Sequence, residues 1–316
     1  MITSTLYLYT ETPLHAGVGS GLSSIDLPIQ RERTTQYPMI QSTGIKGKLR
    51  AAFEGKDNLT QTEKELVDIV FGPSSINGAG SEHAGALITG DARILLFPVR
   101  SLNGVFAYTT SYDILHRFKR DLEREQTEAK ANWTIPDVVK DKALVTTTSD
   151  VHSNGAVVLE EFSFDTQSDE QVDIIADWIA EHTLPDFASD YWSNKVKTSL
   201  VILPNDVFRD FALYATEVIT RVRIDQDKKT VKQGALWTEE HLPTDTLLYV
   251  PLYATKARKK ASQVTEQQVL AHIELLNNTH LQLGGDETVG RGLVRVRLGH
   301  LQGAVSTKGN NDAKSK

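Results

Sequence analysis

The chain of 316 residues contains no cysteine and only two methionines. The absence of cysteine excludes disulfide bridges, thiolate zinc sites and cysteine nucleophiles, and it agrees with the cytoplasm, where we expect the protein. No run of about 18 apolar residues is present, so we expect no transmembrane helix and no membrane partner. The first seven residues lack a basic segment followed by a cleavage site, so they favour a strand over a signal peptide.

Patterns of several enzyme classes are also missing. The sequence has no His-Glu-x-x-His zinc pattern, no Gly-x-Ser-x-Gly elbow and no Gly-x-x-x-x-Gly-Lys-Ser/Thr loop. Positive charge is not in excess, since the net charge is −7, and this disfavours a protein that coats DNA nonspecifically. Basic residues are instead concentrated at 31–50 and 256–260, which predicts a confined positive groove.

Strand and helix patterns alternate around long insertions. Residues 2–10 are typical of a strand, and 11–41 form a long irregular segment with several glycines and prolines. The pattern favours an α+β fold, a ferredoxin-like or RNA-recognition-like antiparallel sheet with helices on one face. We expect one elaborated domain over residues 1–303, with a polar, disordered tail at 304–316.

The glycine-rich segment at 284–292 is followed by a strand with alternating arginines. Gly284 and Gly285 allow the main chain to approach a ligand closely, and Arg291 adds positive charge. Backbone amides beside a guanidinium group suit a phosphate chain, so the segment indicates a nucleic-acid or nucleotide surface. A glycine-rich hairpin without a ligand is the alternative.

A second candidate anion site lies at the start of a predicted helix over residues 44–54. The first amides of a helix have no partner within the helix, and the helix dipole favours an anion there. A phosphate could therefore meet amides and cations together, although a capped surface helix is the alternative. The candidate residues are Ser42, Thr43, Gly44, Lys46, Lys48 and Arg50.

Two residues of the long early loop are candidates for catalysis. Asp26 could bind Mg²⁺ or another divalent metal, or orient a ribose hydroxyl, beside a phosphate groove. His15 could exchange protons near neutral pH, with a weaker case for catalysis. On spacing alone, an ordinary turn aspartate and a structural histidine are the more common explanation of these residues.

A projecting arm is predicted after the strand at 217–224. A polar turn at 225–229 leads into a polar segment, and a strand returns at 247–252. Arg221 and Arg223 alternate on the strand before the turn and can flank a nucleic-acid backbone. Trp237 and Leu242 can contact bases, although Trp237 packed under its own hairpin is the alternative.

These segments together resemble the RAMP superfamily, and within it the backbone subunits of type III-B CRISPR effectors, the fourth subunit of Cmr complexes. The similar segments follow the family's order across nearly the whole chain. They are residues 12–17, 25–32, 44–50, 90–93, 97–102, 221–225, 234–237 and 284–292.

The resemblance implies a protein that stacks with other copies of itself into a filament along a CRISPR guide RNA, beside other effector subunits. A thumb hairpin within about 225–246 would interrupt the duplex between guide RNA and single-stranded target RNA at regular intervals. Asp26 would support cleavage of the target with Mg²⁺ or another divalent metal. Lys46, Lys48 and Arg50 would bind guide phosphates, and the 284–292 loop would support RNA or the neighbouring subunit.

The sequence leaves three alternative functions open. The chain could be an architectural RNA-binding subunit that leaves cleavage to another subunit. It could instead be a guide-processing endoribonuclease that uses His15 without a metal. The third alternative is a small-molecule enzyme that holds a nucleotide on its glycine loop, but no adjoining ribose-reading motif supports it.

Overall fold

The computed structural model describes residues 1–21, 24–74, 83–125, 131–137, 142–185, 190–225 and 227–299. The predicted disordered tail at 304–316 lies outside these residues. Within them the helices are α1 Ser42–Glu54, α2 Gln61–Phe71, α3 Tyr112–Leu122, α4 Glu170–His182, α5 Asp190–Ser199, α6 Asn205–Tyr214 and α7 Glu266–Glu274. The strands are β1 Ile2–Thr10, β2 Met39–Ile40, β3 Leu87–Thr89, β4 Ala92–Arg100, β5 Phe106–Ser111, β6 Lys142–Val145, β7 His152–Ser153, β8 Ala156–Leu159, β9 Phe162–Ser168, β10 Leu200–Leu203, β11 Glu217–Ile224, β12 Val231–His241, β13 Leu247–Ala254, β14 His280–Gln282 and β15 Leu293–Leu298.

Thirteen of these strands form one sheet, in the order β14-β15-β1-β13-β4-β5-β10-β6-β9-β8-β7, with β2 beside β4 and β3 beside β13. Most neighbours are antiparallel, but β10 runs parallel to β5 and β6 runs parallel to β9. The α+β class is therefore confirmed, whereas the sheet is mixed and not purely antiparallel. Each parallel pair joins strands far apart in the sequence, which need long crossover connections.

Strand β1 is an interior strand, third from one end of this order, and it pairs with β13 on one side and β15 on the other. Leu6, Tyr7, Leu8 and Tyr9 are all buried, so both faces of this strand are covered. Each such leucine stabilises the fold by about 1.5–3 kcal/mol through removal of apolar surface from water. The buried residues form one contiguous core cluster that includes both Leu6 and Leu298.

Local capping signals define several helix ends. Thr60 and Glu63 form the predicted capping box of α2, and Thr265 and Gln268 form that of α7. The hydroxyl of Ser111 caps α3. No helix among the described residues is long and apolar enough to cross a membrane.

Strands β11 and β12 form a separate antiparallel hairpin. This hairpin runs from Glu217 to His241 and so overlaps in part with residues 225–246, where a thumb is predicted. Asp225 stabilises the connecting turn, because its Oδ1 accepts the backbone N–H groups of Asp227 (3.0 Å) and Lys228 (2.9 Å). An aspartate side chain that caps its own turn in this way favours a tight reversal of the chain.

Candidate nucleic-acid interface and active site

The early loop runs alongside the second strand of the hairpin. The N–H of Leu27 donates to the carbonyl of Thr238 (3.0 Å), and the N–H of Glu240 donates to the carbonyl of Leu27 (3.0 Å). Nearer the core, Leu14 and Leu242 exchange two backbone hydrogen bonds of 2.9 and 2.8 Å. The loop that carries both candidate catalytic residues is therefore joined to the base of the hairpin.

Asp26 is an exposed carboxylate held by one threonine. Its Oδ2 accepts from the backbone N–H (2.8 Å) and the hydroxyl (3.0 Å) of Thr238. The backbone N–H of Asp26 in turn donates to the Thr238 hydroxyl oxygen at 3.0 Å. The bonds from Thr238 lower the pKa of Asp26, so the side chain is ionised at neutral pH. The result is a charged, oriented group that is open to solvent.

His15 is half-buried and packed against two other segments. Its Nδ1 lies 2.7 Å from the carbonyl oxygen of Glu240, a distance at which a protonated Nδ1 donates to that oxygen. The carbonyl of His15 accepts the N–H of Gly285 at 2.9 Å. Gly284 has φ +75°, and a Cβ there would lie 2.2 Å from the His15 carbonyl oxygen. Only glycine fits this contact, because both the backbone angle and the space exclude a side chain.

The side chain of Gln30 connects the His15 segment to the start of helix α1. Its Nε2 donates to the carbonyl of Gly17 (3.1 Å), and its Oε1 accepts the N–H of Gln41 (2.8 Å), the residue before the helix. The predicted segments at 15–17, 41–44 and 284–285 therefore meet on one region of the molecule. Sequence spacing alone did not require this convergence.

The N-terminus of α1 already has an anionic partner. The N–H of Ser42 donates to Oδ1 of Asp91 at 2.8 Å, and the N–H of Gly44 bonds to the carbonyl of Gln41 at 3.0 Å. A carboxylate thus occupies the place predicted for a phosphate at Ser42. Thr43 and Gly44 are exposed to solvent at this end of the helix.

The cations of α1 differ in their surroundings. Arg50 bonds to Glu54 (2.8 Å), to the Gly72 carbonyl (2.5 Å) and to Asp68 (3.0 Å). These contacts compensate the charge of Arg50 within the protein, because its guanidinium joins α1 to the end of α2, and its binding to guide phosphates stays a prediction. Lys48, half-exposed in the same helix, remains a candidate.

Lys46 marks a local concentration of positive charge. Its ammonium group donates to the carbonyl of Leu87 at 2.9 Å. Burial, followed by the charges of Arg258 and Arg50, lowers the pKa of Lys46. The charge of Arg258, from the basic segment at 256–260, thus acts on Lys46, and the confined positive groove stays a prediction.

Arg221 faces the protein. Its Nε donates to Glu239 Oε2 at 2.5 Å, and its Nη2 lies 3.3 Å from Asp286 Oδ2. These ion pairs compensate the charge of Arg221 within the protein, and its place beside an RNA backbone stays a prediction. Arg223, two residues along the same strand, is exposed and remains a candidate. Arg291 is half-buried in the glycine-rich loop, where its carbonyl accepts from Gln282 at 2.8 Å.

The apolar residues of the hairpin are arranged differently from the prediction. Trp237 is half-buried and donates its indole N–H to Glu239 at 2.6 Å. Leu242 is 1% exposed and belongs to the core, which corrects its predicted role against RNA bases. Val222 and Leu236, which pair across the hairpin, are 46% and 64% exposed. Val218, Ile224 and Val231 of the same hairpin are exposed as well, so the hairpin offers several apolar side chains to solvent.

Sequence reasoning missed four residues around the base of the hairpin. Glu240 is buried and binds Arg31, Thr216 and the loop backbone, whereas Glu239, His241 and Asp286 lie together on another side. The sequence itself contains part of the pattern that locates these residues. Consecutive Glu-Glu-His in a strand places Glu239 and His241 on one face and Glu240 on the other. The contribution of Asp286, 45 or more positions away, had no local signal.

A cavity of about 650 Å³ lies outside this region. Its lining combines Phe162, Phe211 and Tyr214 with Glu160 and Asp210. None of the predicted site residues contributes to it. Because its charged groups are acidic, this cavity does not suit a phosphate backbone.

A sequence profile of the RAMP superfamily matches residues 7–295. The chain belongs to the RAMP superfamily. A RAMP relative in Pyrococcus furiosus, the CRISPR system Cmr endoribonuclease Cmr4, is 38% identical over 291 residues, which cover 92% of this chain and 94% of the relative.

Structures of RAMP proteins are similar over the same length. A crystal structure of oligomeric Cmr4 from Pyrococcus furiosus aligns with a TM-score of 0.71 and 31% identity, and the alignment covers 95% of this chain and 99% of that one. A chain of the type III-B Cmr-beta complex bound to cognate target RNA aligns with a TM-score of 0.69, over 94% of this chain and 97% of that one. At 22% identity, the second comparison shows a shared RAMP fold alone.

Proposed function

We propose that the chain is a guide-RNA-binding backbone subunit of a type III-B CRISPR effector complex and that it cleaves the complementary target RNA. The observation that carries the proposal is the position of Asp26, an ionised and exposed carboxylate at the base of a two-stranded hairpin. The similarity to an endoribonuclease over nearly the full length of both chains supports the same activity. Other copies of the chain, other effector subunits, guide RNA and target RNA are its proposed partners.

The guide RNA would follow the region where the three distant segments meet. Gly284 and Gly285 leave the backbone open beside His15, and Thr43 and Gly44 are exposed at the start of α1. Lys46, Lys48, Arg223 and Arg291 supply the positive charge. Contacts of this kind bind phosphates without regard to base sequence, as a subunit that accepts any guide requires.

The hairpin β11–β12 would act as the thumb of a ferredoxin-like domain that spans residues 1–303. Its exposed Val222 and Leu236 can enter between neighbouring base pairs, because insertion of apolar side chains costs only a few kcal/mol of stacking. Replacing Leu236 with Ser should weaken distortion of the guide–target duplex. Unchanged fluorescence of a 2-aminopurine base placed at the interruption would contradict this role.

Cleavage would occur where the hairpin bends the target strand. A ribose 2′-hydroxyl attacks the adjacent phosphate only in an in-line geometry, so positioning supplies much of the rate. Asp26 lies beside Thr238 on the hairpin and can accept the hydroxyl proton or hold a metal ion. His15 would orient the RNA or assist in proton transfer, in a secondary role.

A divalent metal such as Mg²⁺ fits Asp26 in donor chemistry. Mg²⁺ is commonly held by one or two carboxylates together with substrate phosphates. Asp26 offers an exposed carboxylate of this kind, and the substrate would provide the phosphate oxygens. The metal, when bound, would stabilise the negative charge that develops on the phosphate.

The decisive experiment is Asp26→Asn in the assembled complex. Asparagine keeps an oxygen that accepts from Thr238 but cannot take a proton or hold a cation as strongly. We expect guide RNA to be retained and target cleavage to fall by at least about a hundredfold. Asp165→Asn, at an exposed carboxylate on β9, is the matched control and should cleave normally.

Two outcomes would contradict the proposal. Cleavage at the normal rate by Asp26→Asn would make the chain an architectural subunit. Cleavage of repeat RNA by the isolated chain in the presence of EDTA would identify a guide-processing enzyme that uses His15.

A further inference from the structure

His241 is a buried histidine without a hydrogen-bond partner. Its side chain is 0% exposed, and neither ring nitrogen forms a hydrogen bond with the described part of the chain. Its Nε2 lies 3.6 Å from Oδ2 of Asp286 and 3.9 Å from Oε2 of Glu239, which is too long for hydrogen bonds. A buried polar group without a hydrogen-bond partner is energetically unfavourable, so we expect the imidazole ring of His241 to bind a ligand.

The three side chains match the donor set of a metal ion. Glu239, His241 and Asp286 each offer one ligand atom, and these atoms lie within 4.8 Å of one another. Ligand atoms that share one ion at bond lengths near 2.1 Å lie about 3–4 Å apart. Small side-chain movements would therefore bring all three onto a single ion.

The backbone presents these donors from two separate elements. Glu239 and His241 share a face of β12, because alternate residues of a strand point the same way. Asp286 adopts the left-handed conformation with φ +62°, and its carbonyl accepts from Val289 (3.1 Å) and Arg291 (3.2 Å). An ion here would join the base of the hairpin to the glycine-rich loop.

A protein cation competes for the same carboxylates. Arg221 contacts both Glu239 and Asp286, so it balances one of their two negative charges. Trp237 donates to the other oxygen of Glu239. Release of Arg221 would leave two carboxylates and a neutral imidazole for a dication.

We propose that Glu239, His241 and Asp286 bind a divalent transition-metal ion of the Mn²⁺ class in exchange for Arg221. The imidazole nitrogen favours such an ion over Mg²⁺, which prefers oxygen ligands throughout. The site is separate from Asp26, which bonds to Thr238 on the opposite side of the strand, and it does not depend on the cleavage mechanism. Its role is to hold the hairpin against the 284–292 loop.

The test is Mn²⁺ binding to the isolated full chain, followed by electron paramagnetic resonance. We expect one bound Mn²⁺ per chain, with nitrogen couplings from an imidazole in pulsed spectra, and at least tenfold weaker binding of Mg²⁺ in competition. His241→Ala should abolish the nitrogen couplings. His241→Ala and Asp286→Asn should each weaken Mn²⁺ binding by about tenfold or more, since even loss of a supporting residue outside the ligand set costs that much.

For Arg221→Gln we predict stronger Mn²⁺ binding, the opposite of the effect of the ligand substitutions. This result would distinguish binding at the proposed site from nonspecific binding at the surface. Removing the competing cation should tighten Mn²⁺ binding by about tenfold, because the two carboxylates lose their internal partner. Asp165→Asn, at an exposed carboxylate on β9, is the matched control and should bind Mn²⁺ as the unmodified chain does. This result is independent of whether Asp26→Asn cleaves RNA, so the two proposals can fail separately.

Three results would overturn the inference. They are no Mn²⁺ binding at millimolar concentration, binding unaffected by both His241→Ala and Asp286→Asn, and weaker binding in Arg221→Gln. If His241→Ala fails to fold by circular dichroism, Asp286→Asn decides the outcome, since Asp286 lies in a turn and is 27% exposed.

Discussion

Glu240 holds the early loop, which carries His15 and Asp26, against the hairpin, and its removal gives a quantitative test of this arrangement. Its carboxylate is 3% exposed and accepts from the backbone N–H of Ile29 (3.0 Å), the hydroxyl of Thr216 (2.8 Å) and the guanidinium of Arg31. Arg31 also donates to the carbonyls of Gln36 (2.9 Å) and Ala212 (2.8 Å). One side chain therefore connects the loop, the start of the hairpin and its second strand.

Replacing Glu240 with Ala should lower the free energy of unfolding by about 3–5 kcal/mol. This is the usual cost of removing one partner from a buried ion pair, because the guanidinium of Arg31 is left without its counter-charge. The N–H of Ile29 also loses its acceptor, although this effect overlaps with the first and does not simply add. The midpoint of thermal unfolding should fall by roughly 5–8 °C for a chain of 316 residues.

Calorimetry and urea unfolding measure this change, and a double-mutant cycle assigns it. Arg31→Met combined with Glu240→Ala should destabilise the chain by at least about 1 kcal/mol less than the sum of the single changes. Glu161→Ala is the control. Because that carboxylate is 79% exposed, its removal should change the free energy of unfolding by less than about 0.5 kcal/mol. A loss below about 1 kcal/mol for Glu240→Ala, with full additivity, would refute the reasoning.

Two further predictions concern the glycine-rich loop and a buried acid. Measured by urea unfolding, Gly284→Ala should destabilise the chain by several kcal/mol more than Gly290→Ala. Both glycines have a positive φ, but only a Cβ at Gly284 would collide with the His15 carbonyl oxygen, at 2.2 Å. Equal losses would contradict the close packing. Burial raises the pKa of Glu125 to about 7, so folding favours its protonated form. The contribution of Glu125 to the free energy of unfolding should be greatest below about pH 4. It should fall by on the order of 3 kcal/mol as the pH rises to 7. Glu125→Gln should therefore match the unmodified chain at pH 4 and exceed it at pH 8 by calorimetry, and an equal pH profile would contradict the burial.

Local signals predicted much of the secondary structure, and distant contacts explain the differences. The capping boxes at Thr60 and Thr265 depend on residues three positions away, so the sequence displays them directly. Helix α1 begins at Ser42, earlier than the predicted residue 44, because the carboxylate of Asp91 accepts the N–H of Ser42. The parallel pairing of β5 with β10 likewise depends on a crossover that no local pattern reveals.

In the candidate site too, residue types are visible in the sequence, whereas contacts between distant elements are not. The sequence indicated His15, Asp26 and the glycine loop by residue type, and the structure brings His15 and Gly285 into contact. It did not indicate that Arg50 and Arg221 would meet carboxylates, since Asp68 and Asp286 come from other elements. A basic residue in a favourable pattern can thus serve the fold as readily as an RNA backbone, and only packing distinguishes the two.

The most direct test of the account is a structure of the assembled filament with guide and target RNA, trapped uncleaved by a 2′-deoxy substitution at the target's interrupted position. We predict that residues 15–17, 42–48 and 284–291 line one groove occupied by the guide strand. We also predict that the Asp26 carboxylate lies within about 4 Å of the deoxy position or its adjacent phosphate, directly or through one metal ion. An Asp26 carboxylate on the side of the molecule away from the RNA would contradict the central claim.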